Sequence, residues 1–247
     1  MEGLRVECLG GGPGGLYTAI LLKLADPTCE VTVHERSGPD FTWGFGVVFS
    51  DETLGNIADS DPESIAAIEA EMRYWSEMNT VFRGRTITSG GHGFAALSRL
   101  RLLQILGERA LGLGVKINYL TEIEDPASYL DADLVVGCDG LSSLVRSTWS
   151  DRFELTMPVS DTRFMWLGTK KPFDRFNFLF EETPHGIVQA HVYPYDSEMS
   201  TFIIEMDGDT WRNNGFDSTV EMVFAPGESD MVAVKKCEEI FASHLDG

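Results

Sequence analysis

The segment LRVECLGGGPGGLYTAILLKLADPTCEVTVHE, residues 4–35, decides the fold of this chain. Residues 4–9 are short, mostly apolar and followed by glycines, which is typical of a buried parallel strand. Apolar residues at helical spacing follow from Leu16 to Leu24, and residues 30–35 return to a strand pattern. Two parallel strands need a crossover between them, and a helix is the usual one. The segment therefore predicts a βαβ unit.

The glycines between the first strand and the helix fit the pattern G-x-G-x-x-G at Gly10, Gly12 and Gly15. In this pattern the first glycine permits a tight turn, the second lets the backbone approach a pyrophosphate, and the third lets the helix pack close to the strand. Glu35 ends the second strand, where a carboxylate accepts hydrogen bonds from a ribose and disfavours a ribose phosphate. The pattern predicts FAD or NAD rather than NADP, and the alternative is a glycine-rich turn without a ligand.

Composition excludes several classes of protein. The 247 residues are 43% hydrophobic and 23% charged, which is ordinary for a globular protein. The formal net charge of −20 disfavours binding to nucleic acids and to anionic membranes. No apolar run reaches the roughly 20 residues of a membrane span, and the N-terminus lacks a secretory signal. Because the four cysteines form no C-x-x-C pair, we expect a cytoplasmic protein with reduced thiols and no metal site.

Helices and strands alternate up to about residue 150, and strands alone follow. Residues 36–50 are predicted to form an ordered loop. The predicted helices cover residues 51–58, 62–78, 98–111, 141–147 and 229–245. The predicted strands cover residues 115–119 and 133–137, and residues 80–88 are predicted to form a hairpin around Gly84. From about residue 160, the runs FMWLGTKK, FNFLFEE, GIVQAHVYPY and STFIIEM have the pattern of antiparallel strands separated by turns.

A second motif, Asp139-Gly140-x-x-Ser143-x-x-Arg146, follows directly after the strand DLVVGC. An acidic residue at a strand end, followed by glycine and a short helix, suits a ligand at the carboxyl edge of the sheet. Taken alone, an Asp-Gly pair is usually just a turn. Arg99 opens the amphipathic helix 98–111, and taken alone it is explained as an exposed arginine.

Longer runs carry a resemblance to a known family. These runs are GGGPGGLYTAILLKLADP, HERSGPDFTWGFGVVFSDETL, ITSGGHGFAALSR, GCDGLSSLVRS and the region FMWLGTKKPFDRFNFLFEETPHGIVQAHVYPYDSEMSTFIIE. With them the chain resembles the N-terminal two thirds of the class A FAD-dependent aromatic monooxygenases. Within that family it resembles the group of 2-aminobenzoyl-CoA monooxygenase/reductase and salicylyl-CoA 5-hydroxylase, and it is similar to the violacein-pathway hydroxylase.

The resemblance implies an α/β fold: a Rossmann-like FAD-binding domain of the GR2 type with an inserted antiparallel-sheet substrate lobe. The fold is expected to be C-terminally incomplete, because the family's third FAD motif, a Gly-Asp followed by a histidine, is not found in the sequence. The implied parts are an FAD-binding domain over residues 1–154, the substrate lobe over residues 155–210, and a truncated return to the FAD domain over residues 211–247.

The implied function is FAD- and NAD(P)H-dependent hydroxylation of an aromatic substrate by O2 through a flavin C4a-hydroperoxide. The substrate is an aryl-CoA such as salicylyl-CoA or 2-aminobenzoyl-CoA, or else an indole-type ring. NADH and NADPH are both open as co-substrates. The alternatives are a truncated, non-catalytic nucleotide-binding module and an FAD-dependent reductase without oxygenation.

In the family, the aspartate of the second motif approaches the flavin ribityl chain, and an arginine that opens the helix corresponding to residues 98–111 contacts FAD. The candidate cofactor-binding residues are therefore Gly10, Gly12, Pro13, Gly14, Gly15, Glu35, Arg36, Arg99, Asp139 and Gly140. The phosphates of a CoA substrate would need cations, and the candidates for that role are Arg83, Arg85 and Arg175.

The candidate substrate pocket lies in the second lobe. His191, Tyr193 and Tyr195 alternate along one predicted strand, so that their side chains share one face of the sheet. The resemblance implies that such a face covers the substrate, and the alternative is that these side chains pack within the lobe itself. His92 is either a loop histidine or a further pocket residue.

Overall fold

The predicted βαβ unit is present in the computed structural model, which describes residues 3–219, 222, 224 and 228–246. It consists of β1 (Arg5–Leu9), α1 (Pro13–Ala25) and β2 (Glu30–His34). The two strands pair in parallel, with Val6 opposite Val31. Val6, Val31 and the helix residue Ile20 are buried, so the unit forms around an apolar contact between helix and sheet.

The first of two compact units contains this βαβ segment and spans Met1–Trp43, Phe49–Met72 and Leu97–Pro158. Its sheet has four parallel strands in the order β6-β2-β1-β7. The added strands are β6 (Lys116–Asn118) and β7 (Leu134–Gly137), and the added helices are α2 (Asp51–Ser60), α3 (Pro62–Glu69), α4 (Arg99–Gly112) and α5 (Leu144–Thr148).

The second unit spans Gly44–Val48, Arg73–Ala96 and Val159–Gly247. Its sheet has seven strands in the order β3-β5-β4-β9-β10-β11-β8. The strands are β3 (Gly46–Ser50), β4 (Arg73–Phe82), β5 (Arg85–Ser98), β8 (Arg163–Thr169), β9 (Phe176–Thr183), β10 (Gly186–Pro194) and β11 (Ser200–Met206). Its helices are α6 (Gly208–Asn213), α7 (Met231–Ile240) and α8 (Ala242–Leu245).

Both faces of this seven-stranded sheet are apolar. Val188, Ala190 and Val192 of β10 face a core that also includes residues of α6 and α7. The next residue along, Tyr193, faces a separate cluster of aromatic side chains on the opposite side. The alternation of side chains along a strand thus gives the second unit two distinct apolar layers.

Three sequence predictions are wrong in their extent. The helix predicted over residues 62–78 ends at Glu69, and strand β4 begins at Arg73. The reason is Trp75, whose buried ring pairs across the sheet with Phe94 and packs among aromatic side chains. The loop predicted over residues 36–50 ends in strand β3, because Gly46 donates a buried hydrogen bond to Thr201. The hairpin predicted over residues 80–88 turns where expected but extends much further in both directions.

The C-terminal region differs from its prediction as well. The single helix predicted over residues 229–245 is two helices, α7 and α8, separated at the buried Phe241. Residues 220, 221, 223, 225–227 and 247 of the predicted third part lie outside the described residues. The part boundaries 1–154, 155–210 and 211–247 stay predictions. Across the described part of the chain, no helix is both long enough and apolar enough to cross a membrane.

A buried ion pair links the helices of the first unit. The carboxylate of Asp61, which is 1% exposed, accepts hydrogen bonds from Nη2 of Arg109 at 2.9 Å and from Nε at 3.1 Å. Ser64 donates a third bond at 2.6 Å. Although desolvation opposes ionisation, the bonds from Arg109 and Ser64 outweigh it and hold the pKa of Asp61 below its ordinary value.

We expect the substitution Arg109→Met to lower the free energy of unfolding by about 3 kcal/mol, because it leaves a buried carboxylate without its cation. Urea denaturation measures this loss. A carboxyl group with a lowered folded pKa stabilises the protein above its unfolded pKa, and that contribution is lost as pH falls through the folded pKa. The difference between the wild type and the variant is therefore expected to shrink as pH falls below 3.8, the ordinary value for Asp61.

The matched control is Arg101→Met on the same helix. Arg101 pairs with Glu71, and both side chains are more than a third exposed, at 37% and 38%. Exposed pairs of this kind are worth less than about 1 kcal/mol. Equal losses of unfolding free energy in Arg109→Met and Arg101→Met would contradict the larger stabilisation expected from the buried pair.

Candidate functional site

The turn after β1 brings three backbone segments into close contact. A Cβ atom on Gly15 would lie 1.9 Å from the carbonyl oxygen of Gly10, and a Cβ atom on Gly10 would lie 2.2 Å from the carbonyl oxygen of Cys138. Gly10 also has a φ angle of 115°, which favours glycine. The turn is fixed further by a hydrogen bond from the Gly10 amide to the His34 carbonyl oxygen at 2.9 Å. The contacts of the chain itself therefore require glycine at positions 10 and 15.

Gly12 is different, because nothing in the chain requires a glycine there. A Cβ atom on Gly12 would meet no atom within 4 Å, and its φ of −68° is open to any residue. The same open space surrounds Gly14, and Pro13 begins α1 between them. The two glycines therefore leave the backbone at the start of α1 uncovered. The first amide groups of a helix have no acceptor within the helix itself.

Glu35 joins this turn to the loop that follows β2. Its carboxylate accepts a hydrogen bond from the Gly11 amide at 2.8 Å and another from the Ser37 amide at 2.7 Å. A Cβ atom on Gly11 would lie 2.6 Å from the Cβ atom of Glu35. Glu35, the residue predicted to bind a ribose, thus holds the glycine turn in position. Arg36, the next predicted residue, is exposed.

The second predicted motif lies directly beside the glycine turn. Strand β7 pairs with β1, and the Cys138 amide donates to the Leu9 carbonyl oxygen at 2.7 Å. A Cβ atom on Gly10 would lie 2.8 Å from the amide nitrogen of Asp139. The two motifs, which are far apart in the sequence, thus meet at the carboxyl edge of the parallel sheet.

The carboxylate of Asp139 caps the start of α5. It accepts hydrogen bonds from the Ser143 hydroxyl at 2.6 Å and from the amides of Leu144 and Val145 at 2.6 Å and 3.1 Å. Desolvation alone would raise the pKa of Asp139, but these bonds outweigh it, so the pKa lies below its ordinary value. Gly140 follows with a φ angle of 85°. Asp139 is therefore an anion whose principal partners are a hydroxyl group and two amides at the start of the helix that follows it.

A cleft of about 80 Å³ lies next to the glycine turn. Arg99 lines it at the start of α4, and burial lowers the pKa of its guanidinium group. The other lining residues are Gly11, Gly12, Leu16, Glu35, Ser37, Gly38, Pro39, Phe41, Thr42, Trp43, Leu103 and Tyr119. The cleft thus combines bare backbone, one carboxylate, one arginine and three aromatic rings.

The predicted substrate residues gather on the aromatic layer of the second unit. The rings of His191 and Tyr193 both stack on Phe176, with centroid distances of 5.9 Å and 5.6 Å. Phe94 continues this row at 5.7 Å from Phe176, and His92 stacks on Phe94 at 6.2 Å. The two candidate histidines therefore belong to one row of rings. Tyr195 is buried in the same cluster.

The two tyrosines are tied into the unit itself. Tyr193 is 2% exposed and donates its hydroxyl hydrogen to the Gly46 carbonyl oxygen at 3.0 Å. Burial raises the pKa of Tyr193 to about 12, so the phenol is neutral under ordinary conditions. The ring of Tyr195 lies against Gly46, where a Cβ atom would come within 2.3 Å of the Tyr195 Cβ atom. The side chain of His191 is partly exposed, at 20%, and its Nδ1 atom lies 3.3 Å from a carboxylate oxygen of Glu205.

Two of the three arginines considered for a CoA phosphate have partners in the second unit. Arg83 forms a two-point ion pair with Glu182, at 2.8 Å and 2.6 Å. Arg175 pairs with Glu77 and with Asp174. No ion pair of Arg85 is found in the part of the chain that the structure describes. The structure therefore does not bring these three arginines together.

Sequence reasoning gave no role in the site to two residues, Arg146 of the second motif and Tyr119. Arg146 donates to the carbonyl oxygens of Gly140 and Leu141, and so holds the turn after Asp139. The spacing of Arg146 after Asp139 was the available signal. Tyr119 lines the cleft from the end of β6, and no local pattern marks it, because its position depends on strand order.

Comparison with known proteins supports the family resemblance. The family model described as FAD binding domain matches residues 104–224, which include the Asp139 motif. The chain is 42% identical over 244 residues to salicyloyl-CoA 5-hydroxylase from a Streptomyces species, covering 99% of this chain and 47% of that protein. It is 32% identical over 205 residues to 3-hydroxy-4-methyl-anthranilyl-[aryl-carrier protein] 5-monooxygenase from Streptosporangium sibiricum, covering 83% of this chain and 58% of that protein. The chain thus spans about half the length of these relatives.

Solved structures share the fold. The tetrameric form of 2-methyl-3-hydroxypyridine-5-carboxylic acid oxygenase matches 98% of this chain and 65% of its own, with a TM-score of 0.71 and 19% identity. The predicted fold class is thereby confirmed. The predicted resemblance to FAD-dependent aromatic monooxygenases is confirmed by the sequence matches to the two relatives. The individual site residues stay predictions.

We expect the substitution Gly15→Val to destabilise the first unit strongly, because its side chain would overlap the Gly10 carbonyl group. Gly12→Val, placed in open space, is expected to change the free energy of unfolding by no more than about 1 kcal/mol. Thermal unfolding followed by circular dichroism compares the two. Similar losses in both would contradict the distinction between a glycine that the fold requires and one that it does not.

Proposed function

We propose that this chain, a relative of the FAD-dependent aromatic monooxygenases, forms the FAD-binding part and substrate lobe of an enzyme that hydroxylates an aromatic substrate with O2 and NAD(P)H. The observation that carries this proposal is Gly12. It lies in open space between two glycines that the fold requires, at the start of a helix and at the carboxyl edge of a parallel sheet. A ligand that approaches the backbone closely explains such a glycine.

The residues present fit FAD. The amides at the start of α1 would bind the pyrophosphate, since free N–H groups and the helix dipole both favour an anion there. Glu35 would accept hydrogen bonds from the adenosine ribose with the lone pairs that Gly11 and Ser37 leave free. Arg99 would supply positive charge beside the phosphates. Asp139 and Gly140 would shape the neighbouring turn, toward the ribityl chain.

Bound FAD supplies the redox chemistry with NAD(P)H and O2 that the protein's own side chains lack. The role of the chain is then to bind, to orient and to exclude water. In the second unit, the row of rings from His92 to His191 offers flat apolar surface for an aromatic substrate. His191, which is partly exposed, would hydrogen-bond a polar substituent of that substrate.

The names of the relatives suggest the substrate class. Both act on an aromatic acyl group, attached in one case to CoA and in the other to a carrier protein. We extend this class to the present chain, with a free aromatic or indole-type ring as the alternative. Because Arg83 and Arg175 have carboxylate partners, the carrier's phosphates would have to displace these pairs or bind elsewhere.

FAD binding is the first test. We expect Gly12→Val to lower FAD affinity at least a hundredfold, because a branched side chain would occupy the space of the pyrophosphate, while the protein stays folded. Quenching of flavin fluorescence on titration of FAD measures the affinity, and circular dichroism checks the fold. The titration applies both to this chain and to the full reading frame that encodes it.

The control is Gly55→Val, a substitution in open space within α2, away from the cleft. It is expected to leave FAD affinity unchanged. Wild-type affinity in folded Gly12→Val would overturn the cofactor assignment. Absence of FAD binding by the wild-type full-length protein would favour a non-catalytic module.

Hydroxylation is the second test, made with the full-length protein, FAD and NADH or NADPH. We expect salicyloyl-CoA to accelerate NAD(P)H oxidation and to be converted to a hydroxylated product. His191→Ala is expected to lower the yield of product per NAD(P)H about tenfold, the value of one substrate hydrogen bond, with FAD content unchanged. Product is quantified by liquid chromatography and mass spectrometry.

His185→Ala is the matched control, because this histidine is exposed in the turn before β10. It is expected to behave as wild type. NAD(P)H oxidation without product in the wild type would indicate a reductase. Unchanged product yield in His191→Ala would remove the aromatic layer of β10 from the substrate site.

A further inference from the structure

We infer that Glu205 is a positioning residue for the proposed substrate interaction of His191. Its carboxylate favours a proton on Nδ1 of the imidazole, which leaves the lone pair on Nε2 as a hydrogen-bond acceptor. The site then selects aromatic rings that carry a hydroxyl or amino group as a donor, and it disfavours rings on which that hydroxyl is methylated. This inference rests on the proposed function, in which His191 hydrogen-bonds a polar substituent of the substrate.

Strand register places Glu205 on the same face of the sheet as His191. In the pairing of β10 with β11, His191 lies opposite Ile203, and Gln189 lies opposite Glu205. Residues directly opposite each other share a face, and so do residues two apart along one strand. Ile203 packs against the aromatic layer, which identifies the face. Glu205 is therefore a diagonal neighbour of His191 on that layer, within reach of a long side chain.

The carboxylate of Glu205 contacts both of these residues of β10. One of its oxygens lies 3.3 Å from Nδ1 of His191, and the same oxygen accepts a hydrogen bond from the side-chain amide of Gln189 at 3.3 Å. A neutral imidazole has one nitrogen that donates and one that accepts, whereas a carboxylate only accepts. Because a lone pair on Nδ1 would be repelled by the carboxylate at this distance, the proton is favoured on Nδ1.

Two aromatic rings hold the imidazole of His191 in this orientation. It stacks on the ring of Phe176 at an interplanar angle of 14° and meets Phe178 edge-on, with a centroid distance of 6.3 Å. Among the residues that the structure describes, no hydrogen-bond partner of Nε2 is found, and Nε2 is not one of the buried polar atoms without a partner. Nε2 of His191 is therefore accessible to a ligand.

His92, at the other end of the row of rings, has a different neighbour. Its Nε2 atom lies 2.9 Å from the hydroxyl oxygen of Ser89. A hydroxyl group both donates and accepts, so this contact fits either tautomer of His92. The inferred selection therefore belongs to His191 rather than to His92.

An acceptor at Nε2 distinguishes closely related substrates. The 2-hydroxyl group of a salicyloyl thioester is the only donor on its ring, so it is the group that would pair with Nε2. In a 2-methoxybenzoyl thioester, an ether oxygen would face the Nε2 lone pair, and the substrate would shield both acceptors from water. A site built to bond a hydroxyl group discriminates against an analogue that lacks the donor.

The first measurement is the tautomer of His191 in this chain. Long-range proton–nitrogen NMR spectra, recorded at mildly alkaline pH where an ordinary imidazole is neutral, identify the nitrogen that carries the proton. The chain has five histidines, and the signals of His191 are those lost in His191→Ala. We expect the proton on Nδ1 in the wild type. In Glu205→Gln, whose amide can also donate to Nδ1, we expect the Nε2–H tautomer to be populated.

Glu198→Gln is the matched control, because it makes the same change at an exposed position in the turn before β11. It is expected to leave the proton of His191 on Nδ1. Circular dichroism checks that all variants are folded.

The second measurement is substrate selection by the full-length protein with FAD and NADH or NADPH. We expect the wild type to form product from salicyloyl-CoA at least about tenfold faster than from 2-methoxybenzoyl-CoA, the effect of an acceptor left unpaired. Glu205→Gln is expected to reduce this preference to roughly threefold or less, because a donor at Nε2 suits the ether oxygen, while FAD content stays unchanged. Glu198→Gln is expected to keep the preference of the wild type. A methyl group that merely collides with the pocket would give the same preference in all three proteins.

An Nε2 proton in wild-type His191 would overturn the inference and leave the proposed function intact. A preference for salicyloyl-CoA that is as large in Glu205→Gln as in the wild type would do the same. Absence of hydroxylation of both thioesters by the wild type would instead contradict the proposed function, together with any role of His191 toward the substrate.

Discussion

The close approach of three backbone segments at the end of β1 is the constraint on which the first unit depends. The helix that follows the turn packs against the Gly10 carbonyl group, and the segment after β7 packs against the Gly10 Cα atom. Side chains at Gly10 or Gly15 would separate these segments by more than a packed core tolerates. The same closeness exposes the bare backbone of Gly12, so the requirement of the fold also produces the surface that a phosphate would use.

Two carboxylates lie beside this turn, and the backbone satisfies both of them. Glu35 holds the amides of Gly11 and Ser37, and Asp139 holds two amides at the start of α5. Anions fixed in this way do not need a nearby cation, and Arg99 lines the cleft beside them. In a chain with a net charge of −20, an anionic ligand depends on such local arrangements of N–H groups rather than on overall charge.

The second unit has apolar side chains on both faces of one sheet. On the aromatic face, Tyr193 uses its hydroxyl to hold Gly46, whereas His191 keeps part of its surface exposed. We therefore propose the histidine for the substrate interaction, while the tyrosines support the layer on which it rests. The opposite face packs against α7.

The sequence by itself determined the βαβ unit, because its glycine spacing and its strand and helix periodicities are local properties. It also determined that His191 and Tyr193 share a face, since alternation within one strand suffices for this. Only the tertiary structure decided that residues 73–78 form a strand, because Trp75 gains more from packing against Phe176 and Tyr193 than from a helical turn. It alone placed Asp139 beside Gly10 and paired Arg83 with Glu182, since contacts between residues distant in sequence depend on strand order, which no local pattern contains.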